Sequence, residues 1–573
     1  MAPLCFLLLL LGFSSAAEFY SSIGHMTELL HTEQDLLASL EDYVRAEEYK
    51  LEMVKRWARR LSNLSALAVR DPEVFLGHPV NAFQLLKRMN REWSDLESLV
   101  RSNVSEAFVS RLSAKREHLP GQDDQTGAAE ALLRLQDTYQ LDTDTLAKGQ
   151  LPGTSALPSA LTTDDCFDLG LAAYKDDDFY LAEMWMSQAI RQMERPAGQP
   201  LGISPVTILD YHSYTLYKLG DLERALESTK KILELDPQNQ RAKDGLRYYE
   251  HELANPKSDK AVPVTQRVHP TSYNASTYKR LCRGDNVELV RSRRPTARLA
   301  GRRPAWPADG PPGRHPVHSG LVFPQTALKQ SRLFCRYYDN QRHPNLVLAP
   351  AKEEDLWDLP RVVRYYDIAS DDDMERIKEM ARPTLSRSKV RNNANNSNQA
   401  SRVRVSQNSW LGNYQSPVVT KLINRAGYIT GLDMTTAESM QVANYGVGGL
   451  YEPHIDFQGK EVANPYPDLG TGNRIATWLL YLSNVQAGGA TVFPRVGAVA
   501  WPIKGSAVFW YNLHPNGEGD HYTQHAACPV LVGSKWVANT WLHERGQEFR
   551  RRCHLLSPAE LGFASDSAHW NDA

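Results

Sequence analysis

The sequence predicts a multidomain chain of α plus all-β class: a helical N-terminal region, a tetratricopeptide-like helical domain, and a C-terminal double-stranded β-helix of jelly-roll type. Three observations predict it. From about 18 to 147 the chain is polar and charged, with apolar residues at steps of three and four. A helix-pair repeat follows at about 161–255, and from about 355 short β-type runs alternate with turns. A length of 573 residues leaves room for about three or four ordinary domains.

The N-terminus, MAPLCFLLLLLGFSSAAEF, joins an apolar run from Leu4 to Phe13 to the small residues Ser15, Ala16 and Ala17, which reads as a secretory signal over 1–17. No later stretch reaches the ~20 apolar residues of a membrane helix, so no membrane span is expected. The formal net charge of -2 gives no global field for nucleic acid. The sequons at Asn63, Asn103, Asn274 and Asn395 suit a lumenal chain.

In the region 18–147, Leu29, Leu36, Leu37, Leu40 and Tyr43 recur at helical spacing, so a long amphipathic helix needs a partner. An intrachain bundle and a dimerisation coiled coil both satisfy that need. At 161–255, Leu169 and Gly170 occupy the Leu-Gly step of the tetratricopeptide pattern, with Ala182, Ala189 and Ala225 at small positions and Pro237 at a helix end. Tyr211, Tyr214 and Tyr217 share one face of a helix. That stripe is either core or a groove for a polyproline II ligand.

Residues 256–354 read as a linker, with an Arg/Pro-rich insertion at about 287–328 that lacks apolar periodicity. Over 355–553 the runs RVVRYYDI, ESMQVANYG, ATWLLYL, GATVFP, SAVFWYNL and PVLVGSKWVANTWL predict strands. Helices are expected at about Asp371 to Ala381 and Pro417 to Thr430, and 554–573 is a tail. Within NYGVGGLYEPHIDF, His454 and Asp456 point to one face of an extended segment. His525, in HAACPVLVGSKW, supplies a third donor from a later strand, with Lys535 ten residues beyond. Two histidines and a carboxylate form the facial triad that leaves positions open on Fe(II).

The segments QVANYGVGGLYEPHIDF, LGTGNRIATWLLYLS, GGATVFP, GSAVFWYNL, GEGD and HAACPVLVGSKWVANTWLHERGQEFRR resemble the collagen prolyl 4-hydroxylase α subunits, as do the upstream HPVNAFQLLKRMNREW and SSIGHMTELLHTEQDL. The resemblance spans nearly the whole chain except the insertion. It implies a dioxygenase that 4-hydroxylates proline in X-Pro-Gly repeats of collagen-like chains, giving succinate and CO2. The implied metal ligands are His454, Asp456 and His525, and the cofactors are Fe(II), 2-oxoglutarate, O2 and L-ascorbate.

Lys535 and Tyr445 would hold the distal carboxylate of 2-oxoglutarate, while Tyr451, Arg474, Trp541 and His543 would hold the proline or organise the site. Tyr211, Tyr214, Tyr217, Arg241 and Tyr248 would bind proline-rich peptide, with Gly245 in place of an expected amide side chain. The resemblance also implies bridges Cys528–Cys553 and Cys282–Cys335, and glycans at Asn63, Asn103 and Asn274. Its implied partners are procollagen and protein disulfide isomerase, the latter as β subunit of an α2β2 tetramer in the endoplasmic reticulum lumen. The Asn-rich RNNANNSNQASRVRVSQNSWL departs from the family's usual sequence.

Overall fold

The computed structural model describes residues 23–46, 55, 61–63, 65–66, 68–100, 106–116, 119–151, 160–194, 202–255, 273–285, 333–392, 397–400, 403–459, 462 and 465–553. The signal segment, Asn103, Asn395 and the insertion at 287–328 lie outside them. None of the described helices is long and apolar enough to cross a membrane.

The N-terminal region contains α1 (Ile23–Ala46), α2 (Pro72–Leu76), α3 (Pro79–Lys87), α4 (Trp93–Val100), α5 (Glu106–Lys115), α6 (Gln122–Tyr139) and α7 (Thr143–Ala147). Leu29, Leu36, Leu37 and Leu40 of α1 are buried in a core shared with α3 and α6. These four leucines are therefore satisfied within the chain, while the side chain of Tyr43 lies outside the described ones.

The next helices are α8 (Thr163–Lys175), α9 (Phe179–Met193), α10 (Pro205–Lys218), α11 (Leu222–Leu235) and α12 (Gln240–Ala254). They pack in sequence as antiparallel neighbours. The small positions explain the close pairing: Ala182, Ala189 and Ala225 are fully buried, and a Cβ added at Gly170 would lie 2.9 Å from Met186 Cε. Lys87 of α3 bridges Asp165 Oδ1 at 3.0 Å and Asp168 Oδ2 at 3.1 Å, fastening this repeat to the N-terminal region. After α13 (Tyr273–Arg283) the chain turns to β structure.

Its strands are β1 (Cys335–Tyr338), β2 (Ala351–Trp357), β3 (Val362–Tyr366), β4 (Ser386–Arg387), β5 (Lys389–Asn392), β6 (Ser397–Ala400), β7 (Arg404–Val405), β8 (Gln407–Leu411) and β9 (Met440–Tyr445). There follow β10 (Leu450–His454), β11 (Arg474–Tyr481), β12 (Ala487–Gly488), β13 (Thr491–Phe493), β14 (Ala498–Ala500), β15 (Ala507–Tyr511), β16 (His525–Ala527), β17 (Val530–Val532) and β18 (Lys535–His543). A large sheet has the order β1-β2-β3-β15-β11-β18-β9-β8-β4, and a smaller one β14-β13-β16-β10-β7. Every pairing within them is antiparallel. The sheet starts earlier than the boundary expected at 355, because β1 pairs with β2 through Cys335↔Glu354 to Tyr338↔Ala351.

The helices α14 (Asp371–Ala381) and α15 (Pro417–Thr430) fall at the expected bounds and cover the outer face of the large sheet. Ser370 starts α14 by accepting from Asp373 N while Asp373 Oδ2 accepts from Ser370 N, a reciprocal cap worth about 1 kcal/mol.

The helical and β regions share apolar core. Val405, Val447, Leu450, Leu531 and Val532 belong to the same cluster as the α1, α3 and α6 side chains. Arg134 of α6 donates to Gly448 O at 2.9 Å, and Tyr139 OH donates to Pro529 O at 2.5 Å. The approach is so close that a Cβ at Gly448, whose φ is +72°, would fall 2.5 Å from Ala131 Cβ.

The disulfide expectation is corrected. Cys282 of α13 bonds Cys528, and Cys335 and Cys553 are exposed free thiols. The reason is topological: α13 lies on the small sheet, where Tyr278, Leu281 and Cys282 pack with Ala490, Val492, Ala526 and Cys528. Cys335 instead begins β1, the outermost strand of the large sheet. Burial pushes the free Cys166 thiol to a higher pKa, as expected of an inert core residue.

Candidate active site

The two sheets face one another across a cleft that opens to solvent. Its lining includes Arg404, Tyr451, His454, Thr491 and His525 from the small sheet and Tyr445, Thr477, Leu479, Lys535 and Trp541 from the large one. His454 ends β10 and His525 begins β16, and these two residues are cross-strand partners. Their rings lie 4.3 Å apart between centroids. Asp456 follows two residues after His454, with Oδ1 3.8 Å from His454 Nε2 and Oδ2 3.5 Å from His525 Nε2. One donor atom from each residue lies within 4.8 Å of the others.

Backbone carbonyls fix the imidazole orientation. His454 Nδ1 donates to Glu452 O at 2.7 Å and His525 Nδ1 to Thr523 O at 3.0 Å, which leaves both Nε2 atoms free to ligate. A chain of donors holds the carboxylate: Trp510 Nε1 donates to Asn512 Oδ1 at 2.9 Å, Asn512 Nδ2 to Thr477 Oγ1 at 2.8 Å, and Thr477 Oγ1 to Asp456 Oδ2 at 2.7 Å.

Burial, reinforced by repulsion from His525, holds the His454 pKa down to about 3, so its imidazole is neutral. Burial opposes ionisation of Asp456, but attraction from His525 and Arg474 and the hydrogen bond from Thr477 outweigh it and bring the carboxyl down to about 2. Neutral imidazoles and an ionised carboxylate are the forms that bind a divalent ion. The donor set fits Fe(II).

Lys535 begins β18 directly opposite Tyr445 of β9. It is 1% exposed, its Nζ lies 3.5 Å from Thr491 Oγ1, and the rings of Tyr445 and Tyr481 are 5.3 and 5.8 Å away. No carboxylate pairs with it among the described residues. Burial therefore lowers its pKa to about 7. An isolated ammonium in such a place is costly until an anion arrives.

Tyr451 stacks on His454 with 3.5 Å between ring centroids, and Arg404 lies 4.8 Å from the Tyr451 centroid. Trp541 also lines the cavity, whereas Arg474 and His543 stand outside its lining. Arg474 grips Glu438 through Nε–Oε1 at 2.5 Å and Nη2–Oε2 at 3.0 Å, and its guanidinium lies 4.0 Å from the Trp541 ring. His543 Nε2 is 2.9 Å from Glu438 Oε1. Burial disfavours the Glu438 carboxylate, but His543 and Arg474 overcome this and lower its pKa. Three of these groups thus form a buried charged support beneath Trp541.

Arg404, Glu438, Thr477 and Asn512 are the residues that motif reading missed. Arg404 and Thr477 lie on β7 and β11, while Glu438 precedes β9 and Asn512 follows β15, with no spacing pattern to mark any of them. Arg404 donates to Gln441 Oε1 at 2.7 Å, and its Nε is buried without a hydrogen-bond partner.

The tyrosine stripe lies on the tetratricopeptide-like domain and is half-buried, so it is not core. Tyr174 of α8 joins it, at 5.1 Å from Tyr211 and 5.9 Å from Tyr214. The ladder continues through Tyr214–Tyr217 at 5.8 Å to Tyr217–Tyr248 at 5.6 Å. Arg241 pairs with Asp210 at 3.2 Å beside it, and Gly245 has open space around it apart from Thr229 and Tyr249. Asn63 is exposed on a helix, and Asn274 lies on α13.

Residues 22–153 match the Prolyl 4-Hydroxylase alpha-subunit N-terminal region, 163–255 the Prolyl 4-hydroxylase peptide-substrate-binding domain, and 440–543 the 2OG-Fe(II) oxygenase superfamily. The chain is 49% identical over 549 residues to Prolyl 4-hydroxylase subunit alpha-1 of Homo sapiens, covering 94% of this chain and 96% of that protein. It is 46% identical over 549 residues to subunit alpha-2 of Gallus gallus, covering 94% and 95%.

Among solved structures, the viral collagen prolyl hydroxylase of Paramecium Bursaria Chlorella virus-1 is similar over 31% of this chain and 94% of its own, with 24% identity and a TM-score of 0.27. This chain belongs to the prolyl 4-hydroxylase α-subunit family, the Fe(II)- and 2-oxoglutarate-dependent dioxygenases that hydroxylate proline.

Proposed function

We propose that this chain is the catalytic α subunit of a procollagen-proline 4-dioxygenase, with His454, Asp456 and His525 as iron ligands and Lys535 as the anchor of 2-oxoglutarate. The observation that carries this reading is the buried, uncompensated Lys535 ammonium in the same cavity as a two-histidine-one-carboxylate cluster. A dicarboxylate with an adjacent keto group suits both ends of that cavity: one carboxylate for the lysine, the 2-oxo acid end for the metal.

Bound Fe(II) supplies O2 activation coupled to oxidative decarboxylation of the keto acid. One oxygen atom of O2 enters succinate, the carboxyl carbon leaves as CO2, and the other oxygen becomes the hydroxyl on proline C4. Ascorbate keeps the iron ferrous. The protein's own part is placement and exclusion. Thr477 and the two backbone carbonyls set the ligand orientations, Tyr445 flanks Lys535 at the closed end, and Tyr451 and Trp541 present faces to a proline ring. Arg474, Glu438 and His543 brace Trp541 from behind.

The tyrosine ladder with Arg241 would hold X-Pro-Gly chains as extended polyproline II. The partner of an α subunit in this family is a β subunit, for which we propose protein disulfide isomerase in an α2β2 tetramer in the endoplasmic reticulum lumen. The sequons and the N-terminal apolar run support that compartment.

The test is iron-dependent succinate formation by the assembled protein with (Pro-Pro-Gly)n, with hydroxyproline read by mass spectrometry, in the full chain and in a chain lacking 287–328. Equal product from both is expected. Hydroxylation of lysine in collagen peptides without hydroxyproline would refute the assignment.

A further inference from the structure

Trp410 is a large aromatic side chain left 49% exposed on a strand whose neighbours at Ser409 and Leu411 are buried. Strand register shows which way it faces. Trp410 is the cross-strand partner of Gln441, Gln441 of Asn539, and Asn539 of Leu479. Directly opposed residues share a face of a sheet, and Asn539 and Leu479 line the cavity. Trp410 therefore extends the cavity face outward, to the place where the row ends. Its ring centroid lies 6.2 Å from that of Trp541, which lines the cavity and rests on Arg474.

The inner cleft, walled by His454, His525 and Lys535 between the two sheets, accepts a small ligand, not a polypeptide. Once it holds a cosubstrate and one proline ring, the chain on either side of that proline must cross the mouth. The 6.2 Å step from Trp541 to Trp410 equals the rise of about two residues of polyproline II at ~3.1 Å each. Aromatic faces are the common means of docking such a helix, because it arrives pre-extended and its rings stack without added ordering.

We propose that Trp410 is an outer subsite of the active centre, which receives a proline flanking the target residue and so sets preference for proline-rich sequence around it. The proposal rests on the proline-hydroxylase reading above. Trp410 touches the flanking residue and not the reacting atoms, so it acts on peptide affinity.

The experiment compares the assembled full-length protein with Trp410→Ala and Trp410→Phe, assaying (Pro-Pro-Gly)n and a peptide in which the prolines flanking one target are alanine. In Trp410→Ala the KM for (Pro-Pro-Gly)n should rise about five- to tenfold, and discrimination between the two peptides should be lost. Trp410→Phe should keep most of both. Peptide-independent 2-oxoglutarate turnover and the KM for 2-oxoglutarate should be unchanged in both variants, which verifies an intact site. Unchanged peptide KM and discrimination in Trp410→Ala would overturn the subsite alone. Absence of peptide-stimulated succinate formation in the unsubstituted protein would overturn the reaction and the subsite together.

Discussion

The metal cavity and the tyrosine ladder both present aromatic surface, yet they are built on opposite terms. In the cavity, His525, Asp456 and Lys535 are buried; in the ladder, Tyr211, Tyr214 and Tyr217 are half-exposed and Tyr248 is 44% exposed. Tyr217 and Tyr248 hydroxyls even bond each other at 3.1 Å in solvent. A closed, low-dielectric site makes charges potent and geometry strict. An open ladder on helices offers repeated weak contacts that tolerate sliding. On the proposed function, chemistry and capture are divided between two folds.

That contrast can be broken by substitution, beginning where the loss should be largest. His454→Ala or His525→Ala should reduce succinate formation by at least ~10³-fold while leaving binding of poly-proline peptide to the ladder unchanged. Titration calorimetry alongside the turnover assay checks both halves. Equal losses of turnover and peptide binding would mean that the two sites are not separate.

Lys535→Ala should raise the KM for 2-oxoglutarate about a hundredfold, through loss of the charge that meets its distal carboxylate. The same residue gives a pH signature. Its pKa is lowered to about 7 by burial. Below that pH the ammonium is present to receive the dianion, and above it binding must take up a proton. The affinity for 2-oxoglutarate should therefore weaken as pH rises above about 7, with proton uptake visible in buffers of different ionisation heat. A flat profile would show that burial does not neutralise this lysine.

Thr477→Val should weaken metal affinity by about tenfold to a hundredfold, because Asp456 loses its orienting donor. Competition with a metallochromic chelator measures it, and wild-type affinity would show that the Trp510–Asn512–Thr477 chain is dispensable. The smallest effect is expected in the ladder. Tyr214→Ala should raise the KM for long proline-rich chains by about three- to tenfold without changing kcat. A fall in kcat instead would place the ladder within the catalytic step.

The sequence revealed those parts of this arrangement that follow from local period or a compact motif. Short β-type runs such as SAVFWYNL became β15, and α14 and α15 formed at the bounds expected from the sequence. His454, Asp456 and His525 were all legible as donors from the sequence; the structure adds that His525 is the cross-strand partner of His454 and that Asp456 sits in the bend just past the end of β10. Arg404, Glu438 and Thr477 escaped because each is a single polar residue whose partner is distant in the chain. Tyr174 escaped because it belongs to a different helix from the stripe. The cysteine pairing failed for the same reason: it depends on where α13 settles, which no linear spacing records.

The continuous core joining α1, α3 and α6 to Val405, Leu450 and Leu531 has a practical corollary. A scalpel placed at the linker before β1 would pass between two units on paper but would leave a raw apolar wound on the excised oxygenase. Gly448, pressed against Ala131, would lose the neighbour that dictates its lack of a side chain. Anyone dissecting this protein should cut it as one organ, with α6 kept on the fragment that carries the histidines.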